Sequence, residues 1–399
     1  MKIFIPESFS YECGCCGFCC RDYPSVFTRA EKDAAMEQLL SLSADERPAP
    51  PYFVSDPLNP NQFFNALNDD GCVLLRDGKC LLHAHFGPEV KSCICRSFPA
   101  KSTVTPSGAF GSLYFACPST LRNLEAPFRI NVSESPAPIS EFAAGLRFQG
   151  SATIPWAELD PISISLESIV YDSSVTLRKA LLAGVELIRI LGNQFKRSVP
   201  GPASKILDRF LPSIHDAASR RNLPSGDSLD AAGLNFLLRF TLQIRDGLDS
   251  SHATRPATFF AFIDTLKTVL CIGPDNAPSA AAIERYFAFI RLWREERAEF
   301  FQRELRNYFL WKIFEKESFV EYGILPGFHI LCLSFALIRL YAFAVFTSEG
   351  REKLDFDSVA YPIRIVDRFL FQNKPFLRYL FASGEATGIE NADLISGLL

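Results

Sequence analysis

The clustering of cysteines near the N-terminus constrains the fold of this chain more than any other sequence feature. Five cysteines lie in the ten-residue segment YECGCCGFCC, and ten of the 12 cysteines in the 399-residue sequence come before residue 118. Cys13, Cys16 and Cys19 have the spacing C-x-x-C-x-x-C, which allows neighbouring sulfurs to reach one metal centre from a tight turn. Cys20 follows Cys19 directly. The segment therefore predicts one wall of a metal site.

The redox compartment decides whether such cysteines form disulfides or remain thiols. The N-terminal segment MKIFIPESFS has a short apolar run before Pro6, well below the roughly 7 to 15 apolar residues of a signal peptide. We therefore expect a cytoplasmic protein, in which thiols stay reduced and a dense cysteine pattern indicates metal binding or catalysis. Cys271 and Cys332 stand alone in apolar helical sequence, and we expect them to be inert core residues.

Eight cysteines make up the predicted metal-ligand set. They are Cys13, Cys16, Cys19, Cys20, Cys72, Cys80, Cys95 and Cys117. This number is enough for two sites of four cysteines or for one site with spare residues, and the sequence leaves the partition open. Thiolates bind both zinc and iron-sulfur clusters. Because phenylalanines lie close to the cysteines in sequence and a dry shell protects a cluster, we predict a [4Fe-4S] cluster, with zinc as the alternative.

The overall charge and composition exclude several classes of partner. The chain has 41 Lys and Arg against 45 Asp and Glu, and its net charge of −4 gives no sign of a basic face for nucleic acid or anionic lipid. Hydrophobic residues make up 48% of the sequence, which is enough for a large core. We therefore expect a chain that folds without disulfides and binds neither nucleic acid nor a membrane.

Local patterns predict short hairpins and one capped helix in the cysteine-rich part. Thr28 and Glu31 form the S/T-x-x-E capping box of a helix. The segment CVLLRDGKCLL predicts a hairpin that turns at Asp77 and Gly78. A second hairpin is predicted in AKSTVTPSGAFGSLYFACP, with its turn at 106–108.

Beyond residue 170, apolar residues recur every three or four positions, which predicts helices. The predicted fold class is therefore mainly α, with a cysteine-rich metal-binding N-terminal domain containing short hairpins, followed by a larger all-helical domain. We expect a cysteine-cluster metal-binding domain at 1–125, a linker at 126–170 and the helical domain at 171–399.

The segment ILPGFHILCLSFALIRLYAFAVF, residues 324–346, is long and apolar enough to span a bilayer. Arg339 lies near its middle and would cost about 2.5 to 3.5 kcal/mol inside a membrane span. We therefore predict a buried helix of the helical domain.

The cysteine segments resemble those of a known protein family. YECGCCGFCCRDYPSVFTRAEKDA resembles the opening of the YkgJ-type cysteine-cluster proteins, which are described as zinc- or iron-chelating. GCVLLRDGKCLLHAHFGPEVKSCICRSFPA resembles the second half of that pattern. SLYFACPSTLRNL, LRNYFLWKIF and LSFALIRLYAFA are more similar to the flagellin lysine N-methylase branch than to the small stand-alone domains. The resemblance is specific over residues 12–124 and is limited to helical character afterwards.

The resemblance implies an activity and a ligand set. The methylase branch is associated with N-methylation of flagellin lysines, with S-adenosylmethionine as donor and an iron-sulfur cluster in the protein. Matched by position, the family's cysteines are the eight named above, with Arg96 as a motif companion, whereas Cys15 and Cys93 fall outside the pattern. Ala100 and Ser119 stand where the branch often has Arg and Glu. The resemblance therefore implies metal binding more strongly than methyl transfer.

The residues alone assign no catalytic or donor-binding site. The sequence has no G-x-G-x-x-G turn and no C-x-x-x-C-x-x-C radical motif. Tyr308, Tyr322 and Glu321 are candidates for lowering the pKa of a substrate lysine, but we expect each to be structural. Two other functions stay open: a metal-stabilised binding module without enzymatic activity, and an electron-transfer protein.

Overall fold

The structure of the chain is a computed structural model. It describes residues 1–14, 16–22, 25–56, 59, 61–68, 71–136, 142, 145–195, 202–220, 231–250, 257–273, 276–295, 299–383 and 387–399. At 22, 215–220, 231, 249–250, 257, 294–295, 299–301, 382–383 and 387 it describes the backbone only.

Short strands dominate the first part of the described chain. Their bounds are β1 (Lys2–Pro6), β2 (Val26–Thr28), β3 (Phe53–Ser55), β4 (Gln62–Asn65), β5 (Leu67–Asn68), β6 (Gly71–Cys72), β7 (Leu75–Arg76), β8 (Lys79–Cys80), β9 (Ala100–Thr105), β10 (Gly108–Leu113), β11 (Ile130–Glu134), β12 (Leu146–Gln149) and β13 (Ala152–Ile154). A four-stranded sheet has the order β11-β1-β10-β9, in which β1 runs parallel to β10 and antiparallel to β11. A second sheet has the order β2-β4-β3, and the remaining strands pair as β5–β6, β7–β8 and β12–β13.

Helices make up most of the rest, which confirms the predicted mainly α fold. Their bounds are α1 (Phe18–Asp22), α2 (Arg29–Ser41), α3 (Leu81–Phe86), α4 (Cys93–Ser97), α5 (Leu159–Tyr171), α6 (Leu177–Phe195), α7 (Ala203–Arg220), α8 (Ala231–Ser250), α9 (Ala257–Leu270), α10 (Ala280–Glu295), α11 (Glu299–Phe314), α12 (Glu317–Tyr322), α13 (Ile324–Ser348), α14 (Phe356–Val366), α15 (Lys374–Ser383), α16 (Thr387–Glu390) and α17 (Ala392–Leu398). A 3₁₀ helix spans Pro118–Leu124, and a π-helical turn, Asp367–Phe371, continues directly from α14.

The local signals in the cysteine-rich part are confirmed. Thr28 caps α2, because its side chain accepts from the Glu31 N–H while the Glu31 carboxylate accepts from the Thr28 N–H. The turn between β7 and β8 has positive φ at Asp77 (50°) and Gly78 (77°), as a tight hairpin turn requires. β9 and β10 form the second predicted hairpin, which turns between Thr105 and Gly108.

Helix α13 runs through the interior of the helical domain. Every residue from Ile324 to Val345 is buried, which confirms the predicted buried helix. The Arg339 guanidinium is held by the backbone carbonyls of Leu398 and Leu399, at 2.7 and 2.9 Å. By length and composition, α13 is the one helix in the described ranges that is able to span a bilayer, and 89% of its most apolar window is buried inside the protein.

The predicted linker at 126–170 is wrong, because this segment belongs to the folded body. β11 pairs with β1 along its whole length, and β12 and β13 form a hairpin. The apolar side of α5, which includes Ile162 and Leu166, is fully buried. Burial of such side chains stabilises the fold by about 1.5 to 3 kcal/mol each, so the segment is held in place by the core.

The main core joins the cysteine-rich part to the helices. Phe115, just after β10, packs edge-on against Trp311 of α11 with ring centroids 5.4 Å apart. Phe110 of β10 makes a similar contact with Phe314 at 5.5 Å. The helical part therefore fixes the position of Cys117, which follows Phe115 by two residues.

A second, smaller core lies beneath the cysteine hairpins. It is formed by Phe27, Ala35, Leu39, Leu42, Phe63, Leu74 and Leu82, with Cys72 and Cys80 packed at its edge. This core gives the hairpins that carry two predicted ligands a fixed support.

Candidate functional site

The predicted ligands come from short elements that meet near α1. None of the eleven cysteines that the structure describes forms a disulfide. Cys19 and Cys20 lie on α1, Cys72 on β6, Cys80 at the end of β8 and Cys95 on α4. Cys13 and Cys16 lie in the loop before α1, and Cys117 caps the 3₁₀ helix. Cys15 lies outside the described residues.

A glycine brings Cys72 against α1. Gly71 has φ of 110°, and a Cβ atom at this position would lie 2.3 Å from the Arg21 Cα atom and 2.8 Å from the Cys20 carbonyl oxygen. Only glycine allows so close an approach of two backbones. Gly71 therefore allows the next residue, Cys72, to lie beside Cys20.

Serine and glutamate side chains hold the helix that carries Cys95. Ser92 caps α4, and its Oγ atom accepts from the Cys95 N–H at 3.2 Å. Ser92 is fully buried and shares a 2.8 Å hydrogen bond with Ser25 Oγ. Glu31, which caps α2, also accepts from the Cys93 N–H at 2.8 Å. The capping residues of two helices therefore fix the C-x-C segment, while the Cys93 side chain is exposed.

Four of the thiols form what we call the first cysteine group: Cys20, Cys72, Cys80 and Cys95. Burial, together with the charges of the Cys80 and Cys95 thiols, raises the pKa of Cys72 to about 12. The hydrogen bond to Cys19, burial, and the charges of Cys19, Cys72 and Cys80 together raise the pKa of Cys20.

Three further thiols form the second cysteine group: Cys16, Cys19 and Cys117. Burial raises the pKa of Cys117, and the Cys19 and Cys16 thiols add to this effect. The loop before Cys16 lies against the turn after Cys117, since a Cβ atom on Gly14 would be 3.4 Å from Ser119 Oγ. Cys13 precedes Gly14 directly.

The vicinal pair Cys19 and Cys20 joins the two groups. Their Sγ atoms are 3.8 Å apart. The hydrogen bond from Cys20 and the positive charges of Arg368 and Lys91 together lower the pKa of Cys19 to about 6, against the opposing effect of burial. Cys19 is therefore the thiol best prepared to be a thiolate at neutral pH.

The described thiols are of the kind that binds metal, but they do not converge on one point. Among the described His, Cys, Asp and Glu side chains, no three are close enough together to hold a metal ion. The predicted metal-binding domain is therefore not confirmed. Its candidate donors are soft thiols, of which Cys13 and Cys16 are exposed and the other six are half-buried.

The helical part supplies one wall of the second cysteine group. The Arg364 guanidinium carbon lies 3.9 Å from the centroid of the Phe18 ring, between Cys16 and Cys19 in sequence. Arg364 Nε donates to the Ala116 carbonyl at 3.4 Å. The Ala116 N–H donates to Asp367 Oδ2 at 3.1 Å. Sequence reasoning missed these residues, because no local pattern connects α14 with a cysteine about 250 positions earlier.

A chain of buried ion pairs continues from Asp367 toward the surface. Lys312 pairs with Asp367, and its Nζ atom lies 3.3 Å from the Glu315 carboxylate. Glu315 also binds Lys101 at 2.9 Å, and Lys101 binds Glu317 at 2.5 Å. These side chains balance one another's charge and are at most 14% exposed, so removal of one partner leaves another charge largely buried and unpaired.

The three side chains considered as lysine-activating groups have structural surroundings. Tyr308 is fully buried and packs edge-on against Phe115 at 5.5 Å. Glu321 binds Lys374 at 3.0 Å and Arg378 at 2.7 Å. Burial raises the pKa of Tyr322 above its usual range, so its hydroxyl stays protonated.

In comparisons with known proteins, no family model, no curated protein and no solved structure matches the chain.

Proposed function

We propose that the cysteine groups bind metal, a [4Fe-4S] cluster first and zinc as the alternative, and that the protein is a protein-lysine N-methylase. The observations that support metal binding are the 3.8 Å distance between the Cys19 and Cys20 Sγ atoms and the close approach of Gly71, the residue before Cys72, to the backbone of Cys20. Cys20, Cys72, Cys80 and Cys95 would hold one centre. The second group, with Cys13 as its fourth member by sequence position, would hold the other.

The proposed activity rests on the resemblance to flagellin lysine N-methylases. S-adenosylmethionine would be the donor and a surface lysine of a protein such as flagellin the acceptor, in the cytoplasm. Transfer forms a nitrogen–carbon bond, breaks the sulfonium–carbon bond and releases S-adenosylhomocysteine and one proton. The acceptor amine must first be neutral, so the site must lower the lysine pKa from about 10.4 by desolvation.

Anaerobic purification followed by iron and acid-labile sulfide analysis tests metal binding. Eight iron and eight sulfide per chain are expected if each group holds a [4Fe-4S] cluster, and four of each if only one does. A protein without metal after anaerobic reconstitution would refute this part of the proposal.

Incubation of the metal-loaded protein with flagellin and methyl-labelled donor tests the activity. Methyl-lysine found by mass spectrometry, and lost in the metal-free protein, is the expected result. An intact cluster with no methyl transfer to any lysine would overturn the methylase proposal and leave metal binding standing. Reversible reduction in that case would favour electron transfer.

The distance between Cys19 and Cys20 favours a second candidate, a zinc-stabilised binding module. Two thiolates on one tetrahedral zinc ion lie about 3.8 Å apart, because each Zn–S bond is about 2.3 Å long. The observed Sγ–Sγ distance is 3.8 Å. One or two zinc atoms per chain, without iron, and unfolding of the cysteine-rich part on chelation would support this candidate.

A further inference from the structure

Two adjacent thiols on α1 lie in direct contact with each other. The Sγ atoms of Cys19 and Cys20 are 3.8 Å apart and share a weak hydrogen bond between sulfurs. Side chains of successive helical residues normally point in different directions, so this contact requires both side chains to turn toward each other. Both residues are half-buried, which leaves each of them some exposure to a small reagent.

A disulfide between these two residues would be strained. Disulfides have an Sγ–Sγ distance of about 2.05 Å and usually join Cα atoms about 4.4 to 6.8 Å apart. The Cα atoms of successive residues are only about 3.8 Å apart across a trans peptide. Strained disulfides are reduced more easily than structural ones, and they are the labile, regulatory or catalytic ones. A bond between Cys19 and Cys20 would therefore form and break reversibly.

Helix α1 is short enough to change its conformation when such a bond forms. It has five residues, and the Arg21 N–H donates to the Gly17 carbonyl at 2.9 Å. A single helical turn has little stability of its own, so α1 keeps its shape through contacts with other segments. Because successive helical residues do not face each other, a bond between their sulfurs forces the peptide between them out of the helical conformation.

The contacts of α1 connect the thiol pair to two distant segments. On one side, a Cβ atom on Gly71 would lie 2.8 Å from the Cys20 carbonyl oxygen, so β6 packs directly against the backbone of α1. On the other side, the Arg364 guanidinium carbon lies 3.9 Å from the centroid of the Phe18 ring. A change in the peptide between Cys19 and Cys20 moves the Cys20 carbonyl relative to Phe18, so at least one of these contacts has to adjust.

We propose that Cys19 and Cys20 are a reversible redox site, a dithiol that a low-molecular-weight disulfide oxidises to a disulfide between the two residues, with unwinding of α1. One thiol loses its proton and attacks the reagent, which forms a mixed disulfide and releases one reagent thiol. The second thiol loses its proton and attacks the protein sulfur of the mixed disulfide, so the second reagent thiol leaves. Two protein thiols are thereby oxidised, and one reagent disulfide is reduced to two thiols that take up the two protons. The site needs two sulfurs and no metal, so the inference does not rest on the proposed metal binding.

Mass spectrometry of the full-length protein tests the pair directly. The protein is treated with a chelator, reduced and then equilibrated with oxidised glutathione, after which free thiols are alkylated and the chain is digested. We expect the peptide that carries both residues to show a disulfide with neither Cys19 nor Cys20 alkylated, and both to be alkylated after renewed reduction. A disulfide from Cys19 or Cys20 to any other cysteine, Cys15 included, would overturn the inference, and so would full alkylation of both residues.

Cys20→Ser should trap the intermediate of this reaction. With no neighbouring thiol to displace it, the mixed disulfide of Cys19 with glutathione should persist at least about tenfold longer than in the wild-type protein. Cys93→Ser is the matched control, because it removes an exposed thiol of α4 and should leave formation of the disulfide unchanged. Resolution of the mixed disulfide at the wild-type rate in the Cys20→Ser variant would show that another thiol is the partner, and the inference would fail.

Hydrogen exchange tests the conformational part of the inference. In the oxidised protein the Arg21 N–H should exchange at least about tenfold faster, because its bond to the Gly17 carbonyl is broken. The backbone of the buried helix α13 should exchange at the same rate in both redox states. Unchanged exchange at Arg21 in protein that carries the disulfide would overturn the unwinding of α1. Absence of metal binding would leave all these expected results unchanged, so this inference and the proposed function fail separately.

Discussion

The Ala116 N–H donates a hydrogen bond to Asp367 Oδ2 at 3.1 Å, across 251 positions of sequence. This bond links the residue before a predicted ligand, Cys117, to the most deeply buried ion pair of the helical part. Because Asp367 serves both, the stability of the helical core and the placement of Cys117 depend on the same carboxylate.

Asp367→Asn should destabilise the protein strongly. Lys312 would lose its carboxylate partner while its side chain stays fully buried, and loss of one member of a buried pair costs about 3 to 5 kcal/mol. The measurement is the free energy of unfolding in urea. The control is Asp357→Asn on the exposed side of α14, which should change this free energy by less than about 0.5 kcal/mol. Similar values for the two variants would contradict the prediction.

Gly71→Ala should disrupt the first cysteine group. The new Cβ atom would lie 2.3 Å from the backbone of Arg21, so β6 or α1 has to move, at a cost of at least about 2 kcal/mol. We expect a lower melting temperature and loss of metal from this group. Gly150→Ala is the matched control, since Gly150 also has positive φ (55°) but has no atom within 4 Å of the new Cβ. That control should cost only the backbone strain, about 1 kcal/mol.

Single cysteine replacements should separate the two centres. Cys72→Ser and Cys117→Ser should each remove about half of the bound metal, because the two residues belong to different groups. Cys15→Ser and Cys93→Ser should retain all of it, and so should the control Cys271→Ser. Metal content per chain, measured by plasma emission spectrometry, distinguishes these outcomes. Complete loss of metal from the Cys72→Ser variant would indicate a single shared centre, and metal loss from the Cys15→Ser variant would show that Cys15 is a ligand.

The Glu317 carboxylate should make stability depend on pH in the acid range. Burial alone would raise the pKa of Glu317, but the charges of Lys101 and Lys374 outweigh it and lower the pKa from 4.5 to about 2. The folded state therefore binds this proton less readily than the unfolded state does. The contribution is fully present above pH 4.5 and is lost as pH falls toward 2.

Glu317→Gln should accordingly lower the free energy of unfolding by about 3 kcal/mol at pH 7, and by much less at pH 3. Urea unfolding at both pH values measures the difference. Glu186→Gln, which removes a carboxylate paired with Arg189 on the surface of α6, should show less than about 1 kcal/mol at either pH. A Glu317→Gln effect that is the same at pH 7 and pH 3 would contradict the assigned pKa.

The sequence predicted those elements that depend on residues close together along the chain. The capping box at Thr28, the hairpin turn at Asp77 and Gly78, and the buried apolar helix α13 all follow from residues close together in sequence. The linker prediction failed for the opposite reason. Ser and Pro residues between 131 and 165 suggested an exposed connection, yet β11 is ordered by its pairing with β1, more than 120 positions earlier.

The sequence by itself determined which thiols are candidates for metal and that the chain is mainly helical, because spacing and periodicity are local properties. Only the tertiary structure decided where those thiols lie, because Gly71 packs against the backbone of Arg21, Ser92 bonds to Ser25, and the residue before Cys117 bonds to Asp367. It also decided that Arg364, Asp367 and Arg368 face the second group. Electrostatic interactions depend on distances in the folded protein, and no pattern of neighbouring residues in the sequence encodes those distances.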